Sequence, residues 1–256
     1  MNATLGVPAG GPLFDGHFPG RPILAGVAEL ALALDALRQD GKPLPISGIA
    51  HARLRQLVLP GDRLDIIARD AGAHRLRVDL KRDDAIVANA EFILGIPRVS
   101  PVRAQSNETL ASAARFPALD ELIPHRPPMR FLDAITAESE SGLRGTAVVP
   151  ATCALVVGGQ APALVAVEAA AQAAAAWEAL RRRRTGGNTG PRVGYLVALK
   201  SIAFFATHVP AGRRLEVRVE LEAAALPLAH YRIAVDLGER AVATGTVATF
   251  LSGADA

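Results

Sequence analysis

Phe14-Asp15-Gly16-His17-Phe18-Pro19-Gly20-Arg21-Pro22-Ile23-Leu24-Ala25-Gly26-Val27 sets one histidine between glycines and prolines just ahead of an apolar helix-grade run, Val27 to Arg38. Proline fixes its own φ and glycine permits tight turns, so His17 sits on a stiff loop rather than a free one. The first N–H groups of a helix lack intrahelical partners and can polarise a carbonyl beside them. A neutral imidazole, with a pKa of about 6.5, can act as a base there at neutral pH. A lone loop histidine is ordinarily structural; this whole setting argues for a role in chemistry.

The second half of the chain offers a different group. Leu164 to Trp177 reads as a helix rich in alanine, with Glu168 and Gln172 four apart on one face. A Gly/Pro-rich break at 41–45 follows the first helix (27–38), and strand-like segments follow at 46–59, 63–69, 73–82 and 85–95. The second half repeats that plan: helix 163–184, break 185–194, then strands near 195–206, 213–223, 228–236 and 240–251. The turn at Pro210-Ala211-Gly212-Arg213 echoes Pro60-Gly61-Asp62-Arg63. Strand runs with one long helix argue an α+β fold with antiparallel sheet, curled around a helix that is apolar nearly all round. Three units follow: residues 1–97, a polar linker at 98–115, and residues 116–256.

The His17 loop, the Glu168 helix and the Pro124-His125-Arg126-Pro127-Pro128 segment resemble the hot-dog-fold (3R)-3-hydroxyacyl-[acyl-carrier-protein] dehydratases of fatty-acid and polyene synthesis. The likeness covers roughly residues 14–97 and 118–252, and resembles the dehydratase pair of aryl-polyene pathways joined in one chain. It implies a double hot-dog: two antiparallel sheets, each wrapped around a long central helix, packed side by side. It also implies a carboxylate fourteen residues past the histidine, where this chain has Ala31; fourteen residues before Glu168 stands Ala154. Family sites take histidine from one hot-dog and acid from its neighbour, so one composite site, His17 with Glu168, is expected. The reciprocal site, Ala31 with Ala154, should be dead, with Asp35 as its only rescue.

The resemblance assigns a substrate carried on the phosphopantetheine of an acyl carrier protein, and no metal or other cofactor. Gly26, or the matching Ala163, would bind the thioester oxygen. Gln172 would orient substrate or Glu168, or cap a polar pocket. Arg53 and Arg55 match a stretch that meets the carrier, and Arg181 and Arg182 offer forks for an acidic carrier or a phosphate. His125 and Arg126 would lie near the tunnel mouth or serve structure. Burial should raise the Glu168 carboxyl so that it can donate a proton, while Glu29, about 200° around the helix from Ala31, should point elsewhere.

Composition narrows the rest. The net charge of +3 is concentrated in Arg181 to Arg184, one knot rather than the spread of a nucleic-acid binder, and it equally suits a solvated helix end. No run reaches the roughly 18 apolar residues of a membrane span. One cysteine, Cys153, and a start without a signal-like pattern fit a reducing cytoplasm. Homo-oligomers of the double unit remain open. The rivals are a non-catalytic acyl-carrier-binding scaffold and a hot-dog thioesterase, which would need no Gly-His-Phe-Pro loop.

Overall fold

Leu164 to Arg184 form one 21-residue helix, α3, about 32 Å long at 1.5 Å per residue. Val165, Ala166 and Val167 point in three directions 100° apart, and all are fully buried. Alanine makes this feasible, because it favours helix and lets neighbouring strands approach closely. The other main helix, α1 (Gly26–Ala36), has only 11 residues, shorter than a long central helix, and packs against α3. A single turn, α2 (Leu119–Leu122), precedes the second half. The structure is a computed structural model describing residues 1–38, 44–98, 116–186 and 192–252. Most of the expected linker, and parts of both Gly/Pro breaks, fall outside the described residues.

The first half contributes β1 (Asn2–Gly6), β2 (Ile46–Leu54), β3 (Arg63–Asp70), β4 (Arg75–Arg82) and β5 (Ala85–Leu94). The second contributes β6 (Leu132–Glu138), β7 (Gly142–Val148), β8 (Gln160–Pro162), β9 (Gly194–Phe204), β10 (His208–Pro210), β11 (Arg214–Ala225), β12 (Leu228–Leu237) and β13 (Arg240–Leu251). Strands β1, β6, β7, β8 and β10 lie outside the segments expected from sequence, and β2 stops at Leu54 rather than continuing to 59. There Arg55 and Gln56 both turn their N–H groups to the Val87 carbonyl, which ends the ladder. β3 shows why these segments are strands: Leu64, Ile66 and Ala68 are buried on alternate positions while charged residues face out.

The two sheets do not merely lie side by side. They are hydrogen-bonded edge to edge through β2 and β9, giving one 11-stranded antiparallel sheet in the order β1-β3-β4-β5-β2-β9-β13-β12-β11-β7-β6. Each joining strand is the one that follows its half's helix. Outward from the junction, β5-β4-β3 on one side mirrors β13-β12-β11 on the other, the internal repeat expressed as topology. A separate pair, β8 with β10, lies apart from this sheet.

A second junction sets the site. The backbone N–H of Arg126 donates to the Gly16 carbonyl at 3.0 Å, so the Pro-rich segment of the second half docks on the histidine loop of the first. Gly16 has φ +82°, and a Cβ there would lie 1.9 Å from the Arg126 carbonyl oxygen. Only glycine fits that approach.

Candidate active site

His17 is held from both sides by its own loop. Its Nδ1 lies 3.2 Å from the Ile23 carbonyl, while the Ile23 N–H donates to the His17 carbonyl at 3.3 Å. A carbonyl only accepts, so in the neutral ring Nδ1 carries the hydrogen and Nε2 keeps its lone pair. Burial, then the charge of His125, pushes the imidazole down to about 4, against the opposing pull of Glu168. A buried histidine of this kind is neutral throughout the physiological range, with a lone pair on Nε2.

Glu168 comes from the first turns of α3, and Gln172 one turn later fixes it. The Gln172 Nε2 donates to Glu168 Oε1 at 3.1 Å and to the Met129 carbonyl at 2.8 Å; its Oε1 accepts from the Phe131 and Leu132 N–H groups. Two donors and two acceptor positions are thereby used. Gln172 is fully buried and can orient Glu168, but it has no hydrogen-bonding capacity left for substrate.

The sequence reading put His125 at a tunnel mouth or in a structural role; it stands between the other two groups. Its Nε2 is 3.4 Å from Glu168 Oε1, its ring centroid is 5.1 Å from that of His17, and Phe18 meets it edge-on. One ligand-type atom from each of His17, His125 and Glu168 falls within 4.8 Å of the others, and all three residues are buried. That geometry also matches the spacing of a metal-ligand set. The only sequence signal for His125 was its proline-flanked motif, since its neighbours lie 43 and 108 positions away.

The expected rise of the Glu168 carboxyl does not hold. Burial does push it up, but the His125 hydrogen bond and charge, then His17 and Gln172, outweigh burial and hold it at about 2. The sequence showed valine and alanine neighbours along α3 and could not show two imidazoles arriving from other segments.

These groups line a cavity of about 360 Å³ together with Gly26, Glu29, Leu54 and the alanine stripe Ala171, Ala174 and Ala175. Gly26 opens α1 here; its counterpart Ala163 lines a different cavity and donates its N–H to the Thr207 carbonyl. Between Gly26 and Ala163, then, it is Gly26 that lines the same cavity as His17. That other cavity, about 900 Å³, brings together Ala31 and Ala154. Asp35 also borders it, but about half of its side chain is exposed and it is ion-paired with Arg38.

Among the arginines, Arg53 is exposed on β2, and Arg55 is exposed at the cavity rim. Arg181 is ion-paired with Glu178 and lies over the Trp177 ring, which leaves little of it for a partner. Arg183 and Arg184 pair with Glu121 and Glu138, so much of the basic knot is neutralised internally. Arg182 instead lines the cavity beside Arg192, and burial followed by the Arg192 charge lowers its pKa.

Comparison with known proteins divides the chain at the same place. The model for ApeI-like dehydratases matches residues 1–91, and that for ApeP-like dehydratases matches residues 117–255, more than half the chain. The 3-hydroxyacyl-[acyl-carrier-protein] dehydratase FabZ of Anaeromyxobacter dehalogenans is 36% identical over 106 residues, covering 36% of this chain and 68% of its own length. The Thermotoga maritima enzyme of the same name is 39% identical over 97 residues, covering 34% and 70%. A monomeric dehydratase domain from a trans-AT polyketide synthase split module superposes with a TM-score of 0.73 at 14% identity, covering 98% of this chain and 100% of its own. The ApeI:P dehydratase heterocomplex of Xenorhabdus doucetiae matches with a TM-score of 0.50 at 19% identity, over 55% of this chain and 94% of the matched one. At such identities the structural likeness speaks for the fold, a double hot-dog. The chain belongs to the ApeP-like dehydratase family, with an ApeI-like half fused ahead of it.

Proposed function

We propose that this chain dehydrates (3R)-3-hydroxyacyl thioesters carried on an acyl carrier protein to trans-2-enoyl thioesters, through one composite site. The observation that carries this reading is the meeting of His17 from one half with Glu168 from the other inside one buried cavity, within 4.8 Å. The kinship with acyl-carrier-protein dehydratases supports the same substrate class. Aryl-polyene, polyketide and fatty-acid synthesis all use such a step.

In the reaction His17 Nε2 takes the proton from C2. The released electron pair forms the C2–C3 double bond, and the C3–O bond breaks. Hydroxide leaves as water with a proton passed on by the contacting His125–Glu168 pair. Both contacts from His125 and Gln172 fall on Glu168 Oε1, so Oε2 is the oxygen left for the substrate hydroxyl. The proton on His17 returns to the pair and closes the cycle. N–H groups of the first turn of α1, with Gly26 in front, accept the negative charge that develops on the thioester oxygen. The carrier approaches the rim at Arg55 and Arg53, and Arg182 offers a fork for an anionic group; these steps require no metal or redox group.

The test is mass-spectrometric loss of water from 3-hydroxyacyl-carrier proteins, comparing wild type with His17→Ala and Glu168→Ala. Dehydration by wild type and failure of both folded variants supports the composite site. Binding without turnover across chain lengths would replace it with a carrier-binding scaffold.

A further inference from the structure

Glu29 is a buried acid in the cavity wall that the elimination does not use. It is 3% exposed, and among the described residues its Oε2 has no hydrogen-bond partner. Glu178, also in this wall, differs sharply: both of its oxygens are engaged by Arg181. Burying a carboxyl without a partner is unfavourable, and a leucine could fill the same space without that cost. Glu29 also borders the cavity, so a molecule that fills it can supply a partner to the carboxyl.

Position narrows what that partner is. Glu29 follows Gly26 by three residues, so both lie on one face of α1 and line the cavity with Leu54, Gln56 and Leu57. Ala31, Leu34 and Asp35 face the second cavity from the opposite side of the same helix. With the thioester oxygen at Gly26, Glu29 stands one turn further along. Beyond C3 a simple acyl chain offers no hydrogen-bonding group. On the other side of the sulfur, the pantetheine arm carries amides, each with one donor and one acceptor. An uncharged carboxyl also has one donor and one acceptor, so it can give a hydrogen bond to the amide oxygen or take one from the amide N–H. Burial, reinforced by the charge of Asp62, raises the Glu29 carboxyl well above the usual range and so favours this form.

We propose that Glu29 is a positioning residue whose carboxyl hydrogen-bonds an amide of the pantetheine arm and sets the depth at which the thioester stops beside Gly26. This rests on the dehydratase reading for its substrate class. The test compares wild type, Glu29→Gln and Glu29→Leu on one 3-hydroxyacid, presented as its pantetheine thioester and as its S-ethyl thioester. Glu29→Leu should lose about tenfold in kcat/KM on the pantetheine thioester, mainly through KM, and nothing on the S-ethyl thioester. Glu29→Gln should retain most of the wild-type value, because its amide also donates and accepts. Glu29→Leu should also melt no lower than wild type, since it removes an unpaired buried group. Equal losses on both thioesters, or none on either, would overturn the proposal. Calorimetric binding of the saturated acyl-pantetheine and acyl-S-ethyl thioesters gives the same comparison without turnover. An inactive wild type would thus count against the dehydratase reading and leave the Glu29 question answerable.

Discussion

Two of the cavities of this molecule flank helix α1 on opposite faces, yet among the described residues only one of the two holds a constellation of buried titratable groups. Around the smaller, His17, His125 and Glu168 converge and Gly26 opens the adjacent helix. Around the larger, the corresponding places are held by Ala31, Ala154 and Ala163, and the nearby Asp35 is half-exposed and paired with Arg38. Duplication gives a double hot-dog two equivalent clefts, and side chains decide which of them can do acid–base chemistry. Helix α1 makes the contrast plain, because one of its faces serves one cavity and the opposite face serves the other.

The sharpest way to break the comparison is to empty the smaller cavity. Either His17→Ala or Glu168→Ala should lower kcat/KM about a thousandfold in steady-state dehydration assays. Ala31→Glu or Ala154→His alone should change it less than about twofold, because each leaves the second cavity short of a partner. A large effect from the latter pair would mean that the second cavity already turns over substrate.

Separating the two loops that meet at the smaller cavity should come next. Gly16→Ala forces a Cβ into the Arg126 carbonyl and should cost about a hundredfold in kcat by displacing His17 from His125 and Glu168. Its melting temperature should fall as well. A variant that stayed fully active would show that the docking of Arg126 on Gly16 does not position the site.

His125→Phe keeps an aromatic ring but removes the partner of Glu168, and should reduce kcat by about tenfold to a hundredfold. Without that partner burial dominates at Glu168, so its carboxyl should titrate higher than in wild type; infrared spectroscopy of the carboxyl band can follow it.

The pH profile gives a smaller but sharper reading. With His17 at about 4, the base remains neutral at pH 5.5, so kcat/KM should change by less than about twofold between pH 7 and pH 5.5 through this group. An unshifted imidazole would lose about tenfold over that interval. The decline should appear only as pH approaches 4, with circular dichroism separating loss of activity from unfolding.

Finally, building Ala31→Glu and Ala154→His together in the His17→Ala background should restore a small activity, about tenfold above that background. Failure would indicate that the second cavity lacks more than the two groups, with the Ala163 N–H already given to Thr207 as the first suspect.

Much of this was readable before any coordinates. The Gly/Pro punctuation around His17, the alanine-rich Glu168 helix and the repeated helix-then-strands order are local patterns, and local patterns carry the fold class and the two complementary losses. Residues whose meaning depends on a distant segment were not readable. His125 lies 43 positions from Glu168 and 108 from His17, and only the docking of one proline-rich loop on Gly16 brings them together. The ionisation of Glu168 reversed for the same reason: its helical neighbours argue burial, whereas imidazoles from two other loops decide its charge. Glu29 followed suit, correctly turned away from Ala31 and thereby turned into the opposite cavity. Sequence by itself determined which groups exist and which helix or loop carries each, because period and turn chemistry are short-range. Tertiary structure alone decided which of them share a cavity and in what protonation state, because proximity and desolvation arise only when distant segments pack.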